Sequence, residues 1–248
     1  MVVGILLMAA LVIGDGESPK AALAAADDAF VRMDYPTAIA TYEEMLQSNP
    51  GDTSILWRLA RAYVCVAEPL EDGRRPDLCR KAEAYARKCI ALDPSVAEGH
   101  TWLAGALGYL ALDTSMKHQA GLSKEILGET EKALAINPRD DAALSIRGSL
   151  FRALGNVSWV ERRLAGILFG GIPDGGFKEA EESLQRAVAI APDVMRHEYE
   201  LGVLYIDMGR IQDARAALEK VLTLPVRVAI DKPRLLKAKA LLQTLENK

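Results

Sequence analysis

The sequence predicts an all-α chain folded as a solenoid of stacked helical hairpins. Three observations lead there. Half of the 248 residues are apolar but only 6% are aromatic, and the remainder is rich in Ala, Leu, Glu, Arg and Lys, all good helix formers. Strand-like alternation is almost absent. One amphipathic tail ending in proline recurs five times along the chain, and self-similarity at such a spacing marks a repeat architecture.

The tails are AIATYEEMLQSNP closing at Pro50, AEAYARKCIALDP at Pro94, ILGETEKALAINP at Pro138, AEESLQRAVAIAP at Pro192 and ARAALEKVLTLP at Pro225. Their prolines are 44, 44, 54 and 33 residues apart, so a 34-residue tetratricopeptide period leaves excesses of 10, 10, 20 and -1. The excess reads as inserted material. Small or apolar residues stand four and then three apart in each tail, as in Ala38, Tyr42, Met45 or Ala180, Leu184, Ala187, which places them on one helical face. Proline then ends the helix, because it lacks an amide and disfavours helical geometry in the residue before it.

The first element, MVVGILLMAALVIGDGES, is apolar without a break from Val2 to Ile13. Twelve residues fall short of the roughly twenty a spanning helix needs, but they match the apolar core of a secretory signal, with Val12 and Gly14 as small residues before a cut. The basic segment that normally precedes such a core is missing. Residues 1–14 are therefore read as a signal peptide or short anchor, with an ordinary buried first helix as the alternative, and residues 18–248 as the superhelical domain. Export to the periplasm or envelope follows from the first reading, and a cytoplasmic location from the alternative. No cysteine follows the apolar run, which disfavours lipoprotein attachment.

Upstream of each tail lies a second amphipathic stretch, clearest at LGVLYIDMGRIQDA, where Leu201, Gly202, Tyr205, Gly209 and Ala214 match the tetratricopeptide pattern of two antiparallel helices. About five such hairpins stack, since one alone cannot bury its apolar face, and the stack forms a concave groove. The fourth repeat carries NVSWVERRLAGILFGGIPDGGF from Asn156, an extra short helix ended by Gly170, Gly171 and Pro173. Val160, Leu164, Ile167 and Leu168 share one face of it, expected to cover an apolar edge or to wall an apolar ligand, with Arg162 and Arg163 at the entrance. The chain closes on DKPRLLKAKALLQTLENK, a capping helix with Asp231 as N-cap and Pro233 in its first turn. The local surplus of Lys and Arg there fits the solvated face of a cap or attraction to an anionic surface.

A net charge of -4 without a basic stripe disfavours a dedicated nucleic-acid binder, and no nucleic-acid partner is expected. No nucleophile elbow, phosphate loop or zinc motif is present, and His100, His118 and His197 lack ligand spacing, so no catalytic residue, metal ligand or cofactor is expected. Acidic pairs such as Glu43/Glu44 and Glu181/Glu182 read as solvated faces, and Tyr63, Tyr109, Phe151 and Tyr205 as core. Cys65, Cys79 and Cys89 are odd in number; a Cys65 to Cys79 bridge across a hairpin and free buried thiols are both open.

ILWRLARAY from Ile55, AEAYARKCIALDP from Ala82, KHQAGLSKEILGETEKALAINP from Lys117 and WVERRLAGILFGGIP from Trp159 together resemble the regulator of microtubule dynamics family, from about Ser18 to Lys248. The most specific match is an aromatic residue followed by a basic pair, a hydrophobic stretch and a proline in a repeat insertion: Trp159, Arg162, Arg163, Leu168, Phe169 and Pro173. The resemblance implies a non-enzymatic helical adaptor whose eukaryotic relatives are linked to microtubules and mitochondria, one of them to organelle contacts and phospholipid binding. The secretory-looking N-terminus departs from those relatives and points to a bacterial envelope protein.

In a hairpin of this kind the first helix faces the concavity. Residues seven and eleven after each preceding proline are expected to point inward: Trp57 and Arg61, Thr101 and Gly105, Ser145 and Ser149, Tyr199 and Val203. Trp57 beside Arg61 suits a peptide hot spot or a phosphorylated lipid head, and equally suits packing between repeats. Two functions stay open: a scaffold holding a protein or peptide partner in the groove, and a carrier of phospholipid or acyl chains. Membrane association through the N-terminus is compatible with both.

Overall fold

The computed structural model describes residues 18–246 apart from 71 and 113; the expected signal or anchor at residues 1–14 lies outside the described residues. Five antiparallel hairpins follow one another: α1 (Pro19–Val31) with α2 (Tyr35–Ser48), α3 (Thr53–Ala67) with α4 (Arg75–Leu92), and α5 (Ala97–Leu112) with α6 (Met116–Ile136). Then come α7 (Asp141–Gly155) with α9 (Phe177–Ile190), and α10 (Met195–Asp207) with α11 (Ile211–Val221). The inserted helix α8 (Trp159–Phe169) separates the two members of the fourth hairpin, and α12 (Asp231–Glu246) packs on α10 and α11. The five-hairpin solenoid with its insertion and cap is thus the architecture the sequence predicts.

Local chemistry sets the helix ends. Asn49, Asp93, Asn137 and Ala191 each stand directly before a tail proline and cap their helices with φ between -148° and -125° and ψ between 74° and 100°, extended backbone enforced by the following ring. The next helix then starts under an aspartate in two repeats. Asp52 accepts from the amides of Ser54 and Ile55, and Asp140 from that of Ala143, satisfying donors that have no partner within the helix.

The apolar faces merge into clusters running the length of the stack, from Phe30, Tyr42 and Leu59 through Leu103, Leu107 and Ile146 to Leu184, Leu204 and Leu218. Polar ties within and between hairpins supplement them. Tyr42 donates to Asp27 at 2.5 Å and Arg58 binds the same carboxylate at 2.9 Å. Tyr63 and Tyr85 both donate to Glu43, and Tyr205 and Arg210 to Glu181, so the first member of each acidic pair ties repeats together rather than merely facing solvent. His100 is buried against Glu129 at 2.5 Å and His197 against Asp141 at 2.9 Å. Burial pushes the Glu129 carboxyl up, but the contacts from His100 and Lys132 outweigh it and leave the group below its usual range.

Cys65, Cys79 and Cys89 are buried thiols outside any disulfide, and no Cys65–Cys79 bridge is formed. Burial pushes the Cys65 thiol up to about 12 and that of Cys89 to about 11, which suppresses the reactive thiolate. All three thiols are expected to react with a disulfide reagent only after denaturation. A thiol that titrates at once in the native protein, or fewer than three in the unfolded one, contradicts this arrangement.

Sequence periodicity gave no hint that the ends of the stack meet. The segment after α11 returns to the first two hairpins: the amide of Ala229 donates to the Tyr35 hydroxyl at 3.2 Å, and Arg234 of α12 pairs with Glu68 at the end of α3. Arg234 also binds Asp231 at 3.0 Å, and Asp231 accepts from the amides of Arg227 and Val228. Asp231, Arg234 and Glu68 have almost fully covered side chains, so this part of the capping helix is an internal lock and not a solvated basic face.

Candidate functional site

Inside the curve lies a cavity of about 600 Å³ with mostly apolar walls. Gly105, Gly108, Tyr109 and Leu112 come from α5, Met116, Ala120 and Ile126 from α6, and Ile146, Ser149, Leu150 and Ala153 from α7. Val157, Ala165 and Ile172, in and beside α8, close one side. Arg152, Arg196 and Glu200 form a polar end. Arg152 holds Asp207 at 3.0 Å, and its Nε faces Glu200 Oε2 at 3.6 Å. These two buried atoms are paired as charges but make no hydrogen bond, so hydrogen-bonding capacity is left at this end. Beneath, burial and then the nearby Glu68 carboxylate hold the Tyr109 hydroxyl well above its usual range.

The residues expected in the groove divide by register. Gly105 and Ser149, eleven after a proline, line the cavity. Thr101 and Ser145, seven after, instead turn into the helix pair: Thr101 donates to Asp140 at 2.6 Å, and the buried Ser145 hydroxyl has no partner. Ile146 and Glu200, eight after, take the inward place. The difference of one residue is a rotation of about 100° around a helix. Trp57 and Arg61 pack within the N-terminal hairpins, Arg61 3.8 Å over the Phe30 ring and 5.1 Å from that of Trp57. Tyr199 and Val203 are half-buried and do not line the cavity. Sequence reasoning did not find Arg152, Arg196 or Glu200; the only signal was charge on the inner face of otherwise apolar helices. Tyr109, read as core, belongs to the cavity wall.

The insertion differs most from expectation. Ser158 and Glu161 form a reciprocal capping box at the start of α8, and Gly170 ends it at φ 70°, a left-handed geometry that costs glycine nothing. Arg162 does not stand at an entrance. Its guanidinium points inward and donates to the carbonyls of Leu154 at 2.5 Å, Gly175 at 2.9 Å and Pro173 at 3.4 Å, clamping the loops on both sides. With Arg162 and Ala165 turned in and Phe169 half-buried, the face of Val160, Leu164, Ile167 and Leu168 looks out into solvent. It covers no apolar edge. Arg163 lies outside, 5.4 Å over the Trp159 ring.

Stacked two-helix repeats around an inner cavity define a tetratricopeptide-type repeat protein, a class that presents its concave surface to partners. The model of the family described as Regulator of microtubule dynamics protein 1-3 matches residues 22–246, and the chain belongs to that family. Regulator of microtubule dynamics protein 1 of Caenorhabditis elegans is 22% identical over 220 residues, covering 89% of this chain and 97% of the worm protein. The Bos taurus protein of the same name is 26% identical over 200 residues, 79% of this chain and 63% of its own length. The chain therefore spans nearly all of the worm relative but less than two thirds of the bovine one. Among solved structures, a thermophilic TPR protein of Thermus thermophilus aligns with a TM-score of 0.68 at 22% identity, over 93% of this chain and all of the other. The type IV pilus biogenesis factor PilW aligns at 0.55 and 19% identity, over 84% and 78%. These two likenesses establish the fold.

Proposed function

We propose that the protein is a non-enzymatic binding scaffold that captures an apolar segment of a partner protein in its concave cavity. The observation that carries this reading is the cavity itself: apolar walls, a volume within the usual range for ligand sites, and at one end a buried Arg152–Glu200 ion pair whose facing atoms make no hydrogen bond. An apolar side-chain cluster fills the walls while a carbonyl or amide of the partner meets Arg152 or Glu200. A second reading, an acyl-chain carrier, is favoured by α8, which makes the cavity a walled chamber rather than an open trough.

Gly108 supplies the test. It lines the cavity, and a Cβ there would meet nothing within 4 Å, so Gly108→Leu has room to enter the space and gains helix propensity. The variant is expected to melt no lower than the parent and to lose at least about tenfold in ligand affinity, measured by native mass spectrometry for co-purifying lipid and by cross-linking for a protein partner. Unchanged capture in both assays would move function away from this cavity. Export to the envelope is part of the proposal, and mapping the mature N-terminus in fractionated cells tests it. The relatives are named for microtubule dynamics; co-sedimentation with polymerised tubulin decides whether that role extends to this chain.

A further inference from the structure

An ordinary surface helix buries its apolar stripe and shows its charges; α8 does the reverse. Its outward half carries Trp159, Val160, Leu164, Ile167 and Leu168, with Ile167 75%, Trp159 71% and Leu168 62% exposed. The charged Arg162 is held inside by three carbonyls, and Glu161 accepts the amide of Ser158 in the capping box. Arg163, stacked on Trp159, is the basic charge on the outward half, and the exposed Glu161 stands at its edge, beside Leu168, engaged with the Ser158 amide. At the C-terminal end of α8, Lys124 of α6 donates to the carbonyl of Gly170 at 2.8 Å, and Lys117 stands two turns earlier on the same helix, with no acidic residue between them. Leu112 and Met116, also exposed, edge the cavity that α8 walls.

We propose that α8 is a membrane-docking element whose outward face lies in the surface of an anionic lipid bilayer. Eleven residues make a ridge about 16 Å long and about 10 Å wide, far below the roughly 800 Å² per partner of a stable protein interface. A bilayer accepts a narrow convex wedge without a complementary surface. Aliphatic side chains enter the acyl boundary, Trp159 sits at headgroup level, and Arg163, Lys124 and Lys117 meet lipid phosphates. Attachment through α8 is peripheral, since no described helix is long and apolar enough to cross a membrane. The inference holds whether the cavity takes a peptide or an acyl chain; docking brings the Leu112 and Met116 rim towards the lipid in either case.

A fluorophore on Ile167→Cys reads the contact locally, because the native thiols are buried and the signal is independent of any attachment through the N-terminus. With the full chain and vesicles of equal parts phosphatidylcholine and phosphatidylglycerol, emission is expected to rise and brominated acyl chains to quench it. The same label on Glu219→Cys of α11 stays unquenched. Leu164→Asp with Leu168→Asp, both at exposed positions, leaves the melting temperature unchanged and weakens the α8-dependent partition by about tenfold or more. An unquenched Ile167 label, with the protein bound to the vesicles or free of them, overturns the proposal. Emission that rises with protein concentration in the absence of lipid assigns the face to a second copy and overturns it as well.

Discussion

Replacing Arg234 with methionine is expected to lower the unfolding free energy by about 3 kcal/mol, the usual cost of stranding the partners of a buried ion pair. Arg234 sits between Glu68 and Asp231, and all three side chains are almost fully covered. Removing the cation leaves two carboxylates in a weakly solvated place, Glu68 with Tyr109 and Arg196 nearby and Asp231 with the Arg227 and Val228 amides. The loss shows as a lower urea midpoint and as faster amide exchange through α12, whose hold on the first hairpins is gone. Adding Glu68→Met to Arg234→Met is expected to recover part of the stability, because a well-packed apolar pair avoids the desolvation cost. An Arg234→Met midpoint equal to the parent's means that this pair does not join the ends of the stack.

The second large effect is at Gly148. A Cβ there would lie 2.6 Å from Cγ and 2.8 Å from Cδ2 of Leu184, and 3.4 Å from the Ala180 carbonyl oxygen. Gly202 meets Leu218 in the same way one repeat later, at 2.8 Å. In the second hairpin the same register holds Ala60 and Ala86, both fully buried. A glycine thus faces a leucine, while an alanine stands in register with an alanine, and their combined bulk changes little. Gly148→Val is expected to cost about 3 kcal/mol through overpacking, and Leu184→Ala about 3 kcal/mol through the cavity it leaves. Combined, they should cost clearly less than the sum, with a coupling of about 1–3 kcal/mol, read from urea unfolding. Strict additivity would show that the two positions do not share one space.

Much of this was legible beforehand because the determinants are local. A proline preceded by an extended residue and followed by a capping aspartate marks a helix boundary within a few positions, and the irregular proline spacing located the insertion between α7 and α9. The cavity was half legible. Counting eleven from the proline reached Gly105 and Ser149, but counting seven reached Ser145 and Tyr199, one position short of the inward-facing Ile146 and Glu200. The face of α8 was read correctly as a stripe and placed on the wrong side, since amphipathic reasoning assumes that charge seeks water. Arg162 defeats that assumption by finding three carbonyls inside. The Glu68–Arg234 contact joins residues 166 positions apart, and no periodic signal reports which helices meet when a superhelix comes round.

That meeting of the ends limits how the molecule can change. An open array tolerates the gain or loss of a repeat because each unit answers only to its neighbours. Here one more pair of helices would carry Arg234 past Glu68, and one fewer would leave it short, so the Arg234–Glu68 contact requires this number of repeats. The same long-range tie raises the mean sequence separation of contacts, which slows folding, and binds units that could otherwise melt one by one into a single transition.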